Sequence, residues 1–179
     1  MRTLYNHLKT LFPLGELTEQ RSNLAFVTLP AEHLRPALTH LRDHEGYTHL
    51  VLLTAVDWLE DEQFQLTYLL SNRTKACDLG LRILIVRPAE GMATMQSIHD
   101  LWPTAATYQR ELREMFGIEF PGSPRLEEDF ILEGWIDKPP YRRDFDTKKF
   151  AEESFTNRPG RETHDPEQTM KQQLYADGK

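Results

Sequence analysis

The hydrophobic positions in the first part of the chain change from helical spacing to strand spacing and back. A first helix is predicted from three leucines that share one helix face and precede Pro13: Leu4, Leu8 and Leu11. Residues 23–29 have the composition of a strand, and Pro30 then opens a second predicted helix over residues 31–45. The pattern thus predicts a helix, a strand and a helix in that order.

Three predicted strands follow without a helix between them. Residues 48–58 are almost continuously apolar, which is typical of a strand buried on both faces. Residues 63–70 alternate apolar and polar side chains, which predicts a strand with one face in water, and residues 80–87 predict the third. Consecutive strands without crossover helices pair antiparallel. We therefore predict an α+β fold with a mixed, largely antiparallel sheet packed with helices.

Helical spacing returns over residues 92–116, with an interruption at Trp102-Pro103 because proline is tolerated at a helix start but not inside it. In the second piece, Arg110, Arg113 and Glu114 lie opposite the apolar stripe. The helix is therefore predicted to direct these charges outward, with an ion pair between Arg110 and Glu114.

The composition changes after residue 120. Prolines recur, and apolar side chains become few beyond Arg142. Such a segment cannot offset about 1–2 kcal/mol of backbone entropy per residue by burying its own side chains. The sequence predicts a core domain over residues 1–120 and an extended C-terminal segment over residues 121–179 that wraps a partner subunit. For the last twenty residues, a disordered end without function is the alternative.

Charge and cysteine content exclude several functions. The net charge of −7 argues against sequence-independent binding of nucleic acid and against charge-driven membrane binding. Cys77 is the single cysteine, so the chain forms no internal disulfide and no thiolate metal cage. Apolar runs of membrane-spanning length are absent, so we expect membrane association through partner subunits alone.

Histidines and glutamates provide the candidate chemistry. His33, His40 and His44 lie close together on the predicted helix 31–45, so a stand-alone metal-dependent enzyme is the rival hypothesis. An HExxH motif is missing, and a solvated helix flank is the favoured interpretation. Glu111 and Glu114 could form an acid–base pair, but their outward position favours ion pairing. No catalytic, cofactor or metal site is therefore predicted in this chain.

Several ordered motifs lie between residues 100 and 146. The first is Trp102-Pro103-x-Ala105-Ala106, followed by Arg110-Glu111-x-x-Glu114-Met115-Phe116-Gly117-Ile118. The later ones are Gly122-x-Pro124-x-Leu126 and, after Trp135, Pro140-Tyr141-Arg142-Arg143-Asp144-Phe145. Together they resemble the thirty-kilodalton subunit family, also called the C subunit, of the proton-pumping NADH:quinone oxidoreductase, respiratory complex I.

The resemblance implies a non-catalytic structural subunit of the hydrophilic arm. It would support electron transfer to quinone by assembling with the quinone-site subunit, which resembles a hydrogenase large subunit, and with iron–sulfur subunits. Iron–sulfur clusters, flavin and quinone are expected in those partners, at the cytoplasmic face of the inner or cell membrane. The interfacial or structural ion pairs and anchors would be Arg110, Glu111, Glu114, Trp135, Arg142, Arg143, Asp144 and Phe145. The equivalent subunit of a ferredoxin-linked complex or of an energy-converting membrane hydrogenase is the alternative.

Overall fold

The computed structural model describes residues 1–155. Its helices are α1 (Arg2–Leu11), α2 (Leu34–Asp43), α3 (Ala105–Phe116) and α4 (Thr147–Ser154). Its strands are β1 (Leu17–Arg21), β2 (Leu24–Thr28), β3 (His49–Trp58), β4 (Gln63–Asn72), β5 (Cys77–Val86), β6 (Ala93–Thr94) and β7 (Ile118–Glu119). Short 3₁₀ turns lie at Ala31–His33 and Leu59–Asp61.

The predicted α+β fold with a mixed, largely antiparallel sheet is confirmed. The five long strands form one sheet in the order β1-β2-β5-β4-β3, in which β3, β4 and β5 are antiparallel neighbours. Only β2 and β5 pair in parallel within this sheet. Strand β1, which the hydrophobic pattern did not predict, is a mostly exposed edge strand paired with β2.

Strand β3 differs from its prediction, because it lies at an edge of the sheet and is not buried on both faces. Burial alternates from Leu53 onward, so that Val56 and Trp58 are exposed. A bulge between Leu50 and Leu52 breaks the register near the start of the strand. Helix α3 and the segment before it satisfy one carbonyl group within the strand and one directly before it. Trp102 Nε1 donates to Thr48 O at 3.0 Å, and Tyr108 Oη donates to Val51 O at 2.9 Å.

The helix predicted over residues 92–116 is wrong in its first half, since only Ala105–Phe116 is helical there. Ala93 and Thr94 instead form β6, which pairs in parallel with β7. Ser97 then makes a local turn, in which its hydroxyl accepts the amide of His99 at 3.3 Å. Serine side chains that bond neighbouring backbone groups compete with helix formation.

The predicted domain boundary at residue 120 is not where contacts divide the chain. Residues Met1–Phe145 form one compact unit, and a second unit begins at Asp146. The segment 121–145, here called the strap, therefore belongs with the core and not with a separate extension. In the second unit the structure describes α4, which was not predicted and whose N-cap is Asp146, with Oδ1 accepting Lys149 N at 3.0 Å. Residues 156–179 of the predicted wrapping segment lie outside the described part.

None of the helices within residues 1–155 has the length and the apolar composition that spanning a membrane requires.

Candidate functional site

The strap begins where α3 ends, at a glycine that the geometry requires. Gly117 has a φ of +74°, in the left-handed region that glycine adopts without strain. Its amide closes the helix by bonding Arg113 O at 3.0 Å. A Cβ at this position would also come within 3.2 Å of Pro139 Cγ of the returning strap. Gly117 thus both turns the chain and lets the strap pass close to the helix end.

Glu114 holds the strap through its backbone. Its carboxylate accepts three consecutive amides, those of Phe130 at 2.6 Å, Ile131 at 2.9 Å and Leu132 at 3.1 Å. A carboxylate that binds several backbone amides makes charge-assisted hydrogen bonds, which are stronger than neutral ones. The charges of α3 were predicted to point outward from the core. That side of the helix does not face solvent, because the strap covers it.

The arginines beside Glu114 pair with the strap and not within the helix. Arg110 Nη1 lies 3.3 Å from Glu128 Oε2, and Arg113 pairs with Glu127. The predicted Arg110–Glu114 ion pair is wrong, since the strap amides occupy Glu114. Glu111 is half-buried and forms no ion pair with any residue of the described part of the chain.

The other end of the strap is fixed by an ion-pair network, here called the clasp, formed by Asp57, Arg87, Lys138, Arg142 and Asp144. Arg87 Nε donates to Asp57 Oδ1 at 2.6 Å, and its Nη2 donates to Asp144 Oδ1 at 2.6 Å. The side chains of Asp57 and Arg87 are only 1% and 5% exposed. The second oxygen of Asp57 accepts the amide of Arg143 at 2.9 Å. The clasp therefore ties the strap to the ends of β3 and β5.

Lysine and arginine side chains complete the clasp around Asp144. Lys138 Nζ donates to Asp144 Oδ2 at 2.8 Å, and Arg142 Nε lies 3.7 Å from Oδ1. Arg142 also donates through Nη2 to Pro88 O at 2.7 Å. Arg87 and Arg142 both lie over the buried ring of Phe64, at 5.8 and 5.7 Å from its centroid. The negatively polarised face of the Phe64 ring thus attracts both guanidinium groups in cation–π contacts.

Burial and neighbouring charges both shift the pKa values of the clasp. Burial alone would raise the pKa of Asp144, but the hydrogen bond from Lys138 and the charges of Arg87 and Arg142 hold it below its usual range. Burial lowers the pKa of Arg142, and the nearby charge of Arg87 lowers it further. The pKa of Arg87 is raised, because Asp57 and Asp144 outweigh the effect of burial. The raised pKa of Arg87 and the lowered pKa of Asp144 both favour the charged forms of this pair.

The structure brings the predicted site residues together in two groups. Arg142, Arg143, Asp144, Trp135 and Phe145 lie at the clasp end, where the rings of Trp135 and Phe145 are 5.7 Å apart and Arg143 pairs with Glu60. Arg110 and Glu114 lie at the helix end. Sequence reasoning missed Asp57 and Arg87. The sequence did carry a signal for both residues. Asp57 is a charge within one apolar strand, and Arg87 is a charge directly after another.

Three large apolar side chains of the strap are exposed among its charged residues. They are Ile131, Ile136 and Tyr141, of which Ile136 is 95% exposed. Between the strap and α3 lies a groove of about 220 Å³, lined in part by Met92, Arg113 and Trp135. Exposed apolar side chains clustered on one segment mark interaction sites.

The predicted histidine trio is not the group that the fold assembles. Within the described chain, the side chains whose ligand atoms lie within 4.8 Å of one another are His7, His40 and Glu45. His44 stays beside His40, with ring centroids 5.0 Å apart, whereas His33 is at the start of α2.

Comparison with known proteins identifies the family. The profile of the family described as "Respiratory-chain NADH dehydrogenase, 30 Kd subunit" matches residues 27–151, which include β3, β4, β5, α3, the strap and the clasp. The chain belongs to this family. The resemblance inferred from the sequence motifs is thereby confirmed.

Relatives in this family are named as parts of a larger oxidoreductase. The NADH-quinone oxidoreductase C subunit of Moorella thermoacetica is 30% identical over 145 residues, which are 81% of this chain and 95% of that protein. One of the C subunits of Rhizobium etli is 32% identical over 158 residues, 85% of this chain and 71% of that protein. A C/D subunit of Aquifex aeolicus is 32% identical over 115 residues, 64% of this chain but only 19% of that protein.

A solved structure shows the same fold. A chain of the membrane-bound sulfane sulfur reductase, an archaeal respiratory membrane complex, superposes with a TM-score of 0.75. The superposition covers 92% of this chain and 96% of that chain, at 24% identity. At this identity the likeness establishes the fold alone.

Proposed function

We propose that this chain is a non-catalytic assembly subunit in the hydrophilic arm of a proton-pumping NADH:quinone oxidoreductase. In this role it supports electron transfer to quinone by packing on the quinone-site subunit and on iron–sulfur subunits. Flavin, iron–sulfur clusters and quinone belong to those partners, and this chain holds no redox centre of its own. The complex places it peripherally, at the cytoplasmic face of the inner or cell membrane.

The observation that carries this proposal is the strap, which is fixed to the core by charges and exposes three large apolar side chains. Glu114 holds the strap at residues 130–132 and the clasp holds it at residues 138–144, so that the conformation of the segment between these points is set before a partner binds. A preformed surface loses less conformational entropy on binding. Ile131, Ile136 and Tyr141 are then available as apolar anchors.

The fused relatives support the quinone-site subunit as the partner. Aquifex aeolicus and Acidiphilium cryptum have proteins named as C/D subunits, in which the region similar to this chain occupies 19% and 24% of the length. Two subunits joined in one chain remain close in space. We infer that the partner of this strap is the equivalent of the D part, and that half-buried Glu111 contributes a charge to the same interface.

Affinity purification of the tagged chain from its native membranes in mild detergent, followed by mass spectrometry, tests the proposal. We expect recovery of the quinone-site and iron–sulfur subunits, with a flavin subunit if NADH is the electron donor. Ile136→Asp is expected to lower the recovered partners at least tenfold, and Glu111→Ala to lower them less. Val86→Asp, which places the same charge on an exposed apolar position of the sheet, is the matched control.

Three outcomes contradict the proposal. Recovery of the chain alone would exclude the assembly role. Loss of partners with Val86→Asp but not with Ile136→Asp would move the interface from the strap to the sheet. Unchanged assembly and turnover with Glu111→Ala would remove that residue from the interface.

The equivalent position in a ferredoxin-linked complex or an energy-converting membrane hydrogenase is the second candidate. This chain shares its fold with a chain of an archaeal respiratory membrane complex, and that likeness is the observation that favours this second candidate. Nickel–iron hydrogenase subunits among the recovered proteins would support it over the first.

A further inference from the structure

Two histidines and a glutamate converge at the side of the molecule formed by α1 and α2. His7 comes from α1, His40 from the last turn of α2, and Glu45 from the loop that follows. Glu45 Oε1 lies 3.8 Å from His7 Nε2 and 4.0 Å from His40 Nε2. We propose that His7, His40 and Glu45 bind a divalent transition cation of the zinc class, which joins α1 to the end of α2.

A buried nitrogen without a partner points to a ligand. His40 Nε2 is inaccessible to solvent and makes no hydrogen bond with the described residues. Its separation of 4.0 Å from Glu45 Oε1 is too long for one. Buried polar atoms are nearly always satisfied, so an unsatisfied one calls for an explanation such as an ion. The His7 side chain is 52% exposed, which leaves an entry path for the ion.

The donor set suits zinc. Imidazole nitrogen and carboxylate oxygen are both zinc ligands, and two histidines with one glutamate are a known combination. Tetrahedral zinc with bonds of about 2.0–2.1 Å places its ligand atoms about 3.3 Å apart. All three ligand atoms lie within 4.8 Å of one another, so they need to approach by at most about 1.5 Å. Rotation of the exposed His7 side chain supplies most of that movement, and a water occupies the fourth position.

Neighbouring groups orient the ligands. Phe12 packs edge-on against the His40 ring at 6.0 Å, and buried Asn72 donates to the backbone carbonyl of Glu45 at 2.8 Å. Lys75 Nζ lies 3.7 Å from Glu45 Oε2, on the oxygen that does not face the histidines. Contacts of this kind, made by groups outside the ligand set, fix ligand orientation and tune affinity. Lys75 lowers the affinity through its charge but leaves Oε1 directed at both histidines.

Metal titration of the full-length chain tests the proposal. Zn²⁺ binding is measured by equilibrium dialysis with elemental analysis, and Co²⁺ provides a visible absorption spectrum that reports coordination geometry. We expect one Zn²⁺ per chain, a tetrahedral or five-coordinate Co²⁺ spectrum, and no binding of Mg²⁺, which prefers oxygen ligands. Hydrogen exchange should show that Zn²⁺ protects the amides of α1.

The variants separate this site from the other histidines. His7→Gln and His40→Gln are each expected to weaken Zn²⁺ binding at least tenfold, and His7, being exposed, can be replaced without loss of fold. His33→Gln is the matched control and should bind as the parent chain does, while His49, His99 and His164 remain in every variant. Circular dichroism confirms the fold of each.

The proposal is overturned by any of three results. The first is a chain that takes up no Zn²⁺ at micromolar concentration. The second is a His7→Gln variant that binds as tightly as the parent. The third is binding that depends on His44 and not on His7, which would place the ion between His40 and His44 at the end of α2. None of these bears on assembly with other subunits, so the metal site and the assembly role can fail independently.

Discussion

The two ends of the strap are both held by charged residues, but in different surroundings. At the clasp, Asp57 and Arg87 are almost fully buried, and every oxygen of Asp57 has a partner. Along α3, Arg113 pairs with Glu127, whose side chain is 81% exposed. The same kinds of residue therefore form a network around a buried ion pair at one end, and pairs with largely solvated carboxylates at the other.

The comparison shows that burial, and not the number of ion pairs, decides what a charge contributes. Removing one partner of a buried pair leaves an uncompensated charge in a medium that solvates it poorly. Removing one partner of an exposed pair returns the other to water at little cost. Glu114 lies between these cases, because it is a partly exposed carboxylate that satisfies three backbone amides.

Arg87→Ala is expected to have the largest effect. Asp57 would lose the guanidinium that neutralises it, and Asp144 would lose its shortest contact. We expect the free energy of unfolding to fall by about 3–5 kcal/mol. Urea denaturation of the isolated chain measures it. Arg143→Ala, which removes an arginine from the exposed pair with Glu60, is the control and should change stability far less. Equal losses in the two variants would contradict the comparison.

Glu114→Gln is expected to loosen the strap where it lies along α3, at residues 130–132. An amide group places a donor where one carboxylate oxygen now accepts, so at least one strap amide would face another donor. The expected cost is about 1–3 kcal/mol. Hydrogen exchange at residues 130–132 should accelerate about tenfold for each 1.4 kcal/mol. Glu111→Gln, on the same helix but without an ion pair in the described chain, should leave this exchange unchanged.

The order of the long strands could be predicted in part from sequence because its signal is local. Alternation over residues 63–70 and the lack of crossover helices indicated antiparallel pairing, which the structure confirms. Strand β1 was missed because its side chains are mostly exposed and polar. Strand β3 was misplaced because its apolar run continues onto the exposed face, at Val56 and Trp58.

The site could be predicted only as a set of residues. The motifs indicated Glu114, Arg142 and Asp144, but the clasp joins residues far apart in sequence, such as Arg87 and Asp144, which are 57 positions apart. Contacts of that separation leave no periodic pattern. The helical wheel placed Arg110, Arg113 and Glu114 on one side correctly, yet it could not show that the strap returns to cover that side.

Acid should weaken the clasp through Asp144. The pKa of Asp144 in the folded chain lies below its ordinary value of 3.8, so its stabilising contribution is complete above pH 3.8. That contribution is lost as the pH falls through the lower folded-state pKa. Asp144→Asn should therefore show a flatter decline of unfolding free energy below pH 3.8 than the parent chain. Asp100 and Glu60, whose pKa values are also lowered by arginine partners, remain in both proteins as a common background. An identical slope would contradict the role of Asp144.

The exposed pair between Arg113 and Glu127 should give the smallest effect. Glu127 is largely solvated, so pairing it with Arg113 restricts two long side chains for a weak attraction. A double-mutant cycle with Arg113→Ala and Glu127→Ala should give a coupling energy of roughly 0–1 kcal/mol, which decreases as salt is added. The cycle is needed because Arg113→Ala alone also removes apolar contacts of the side-chain stem. A coupling energy as large as the Arg87→Ala effect would mean that the α3 end is shielded from water, and the two ends of the strap would then be held in the same way.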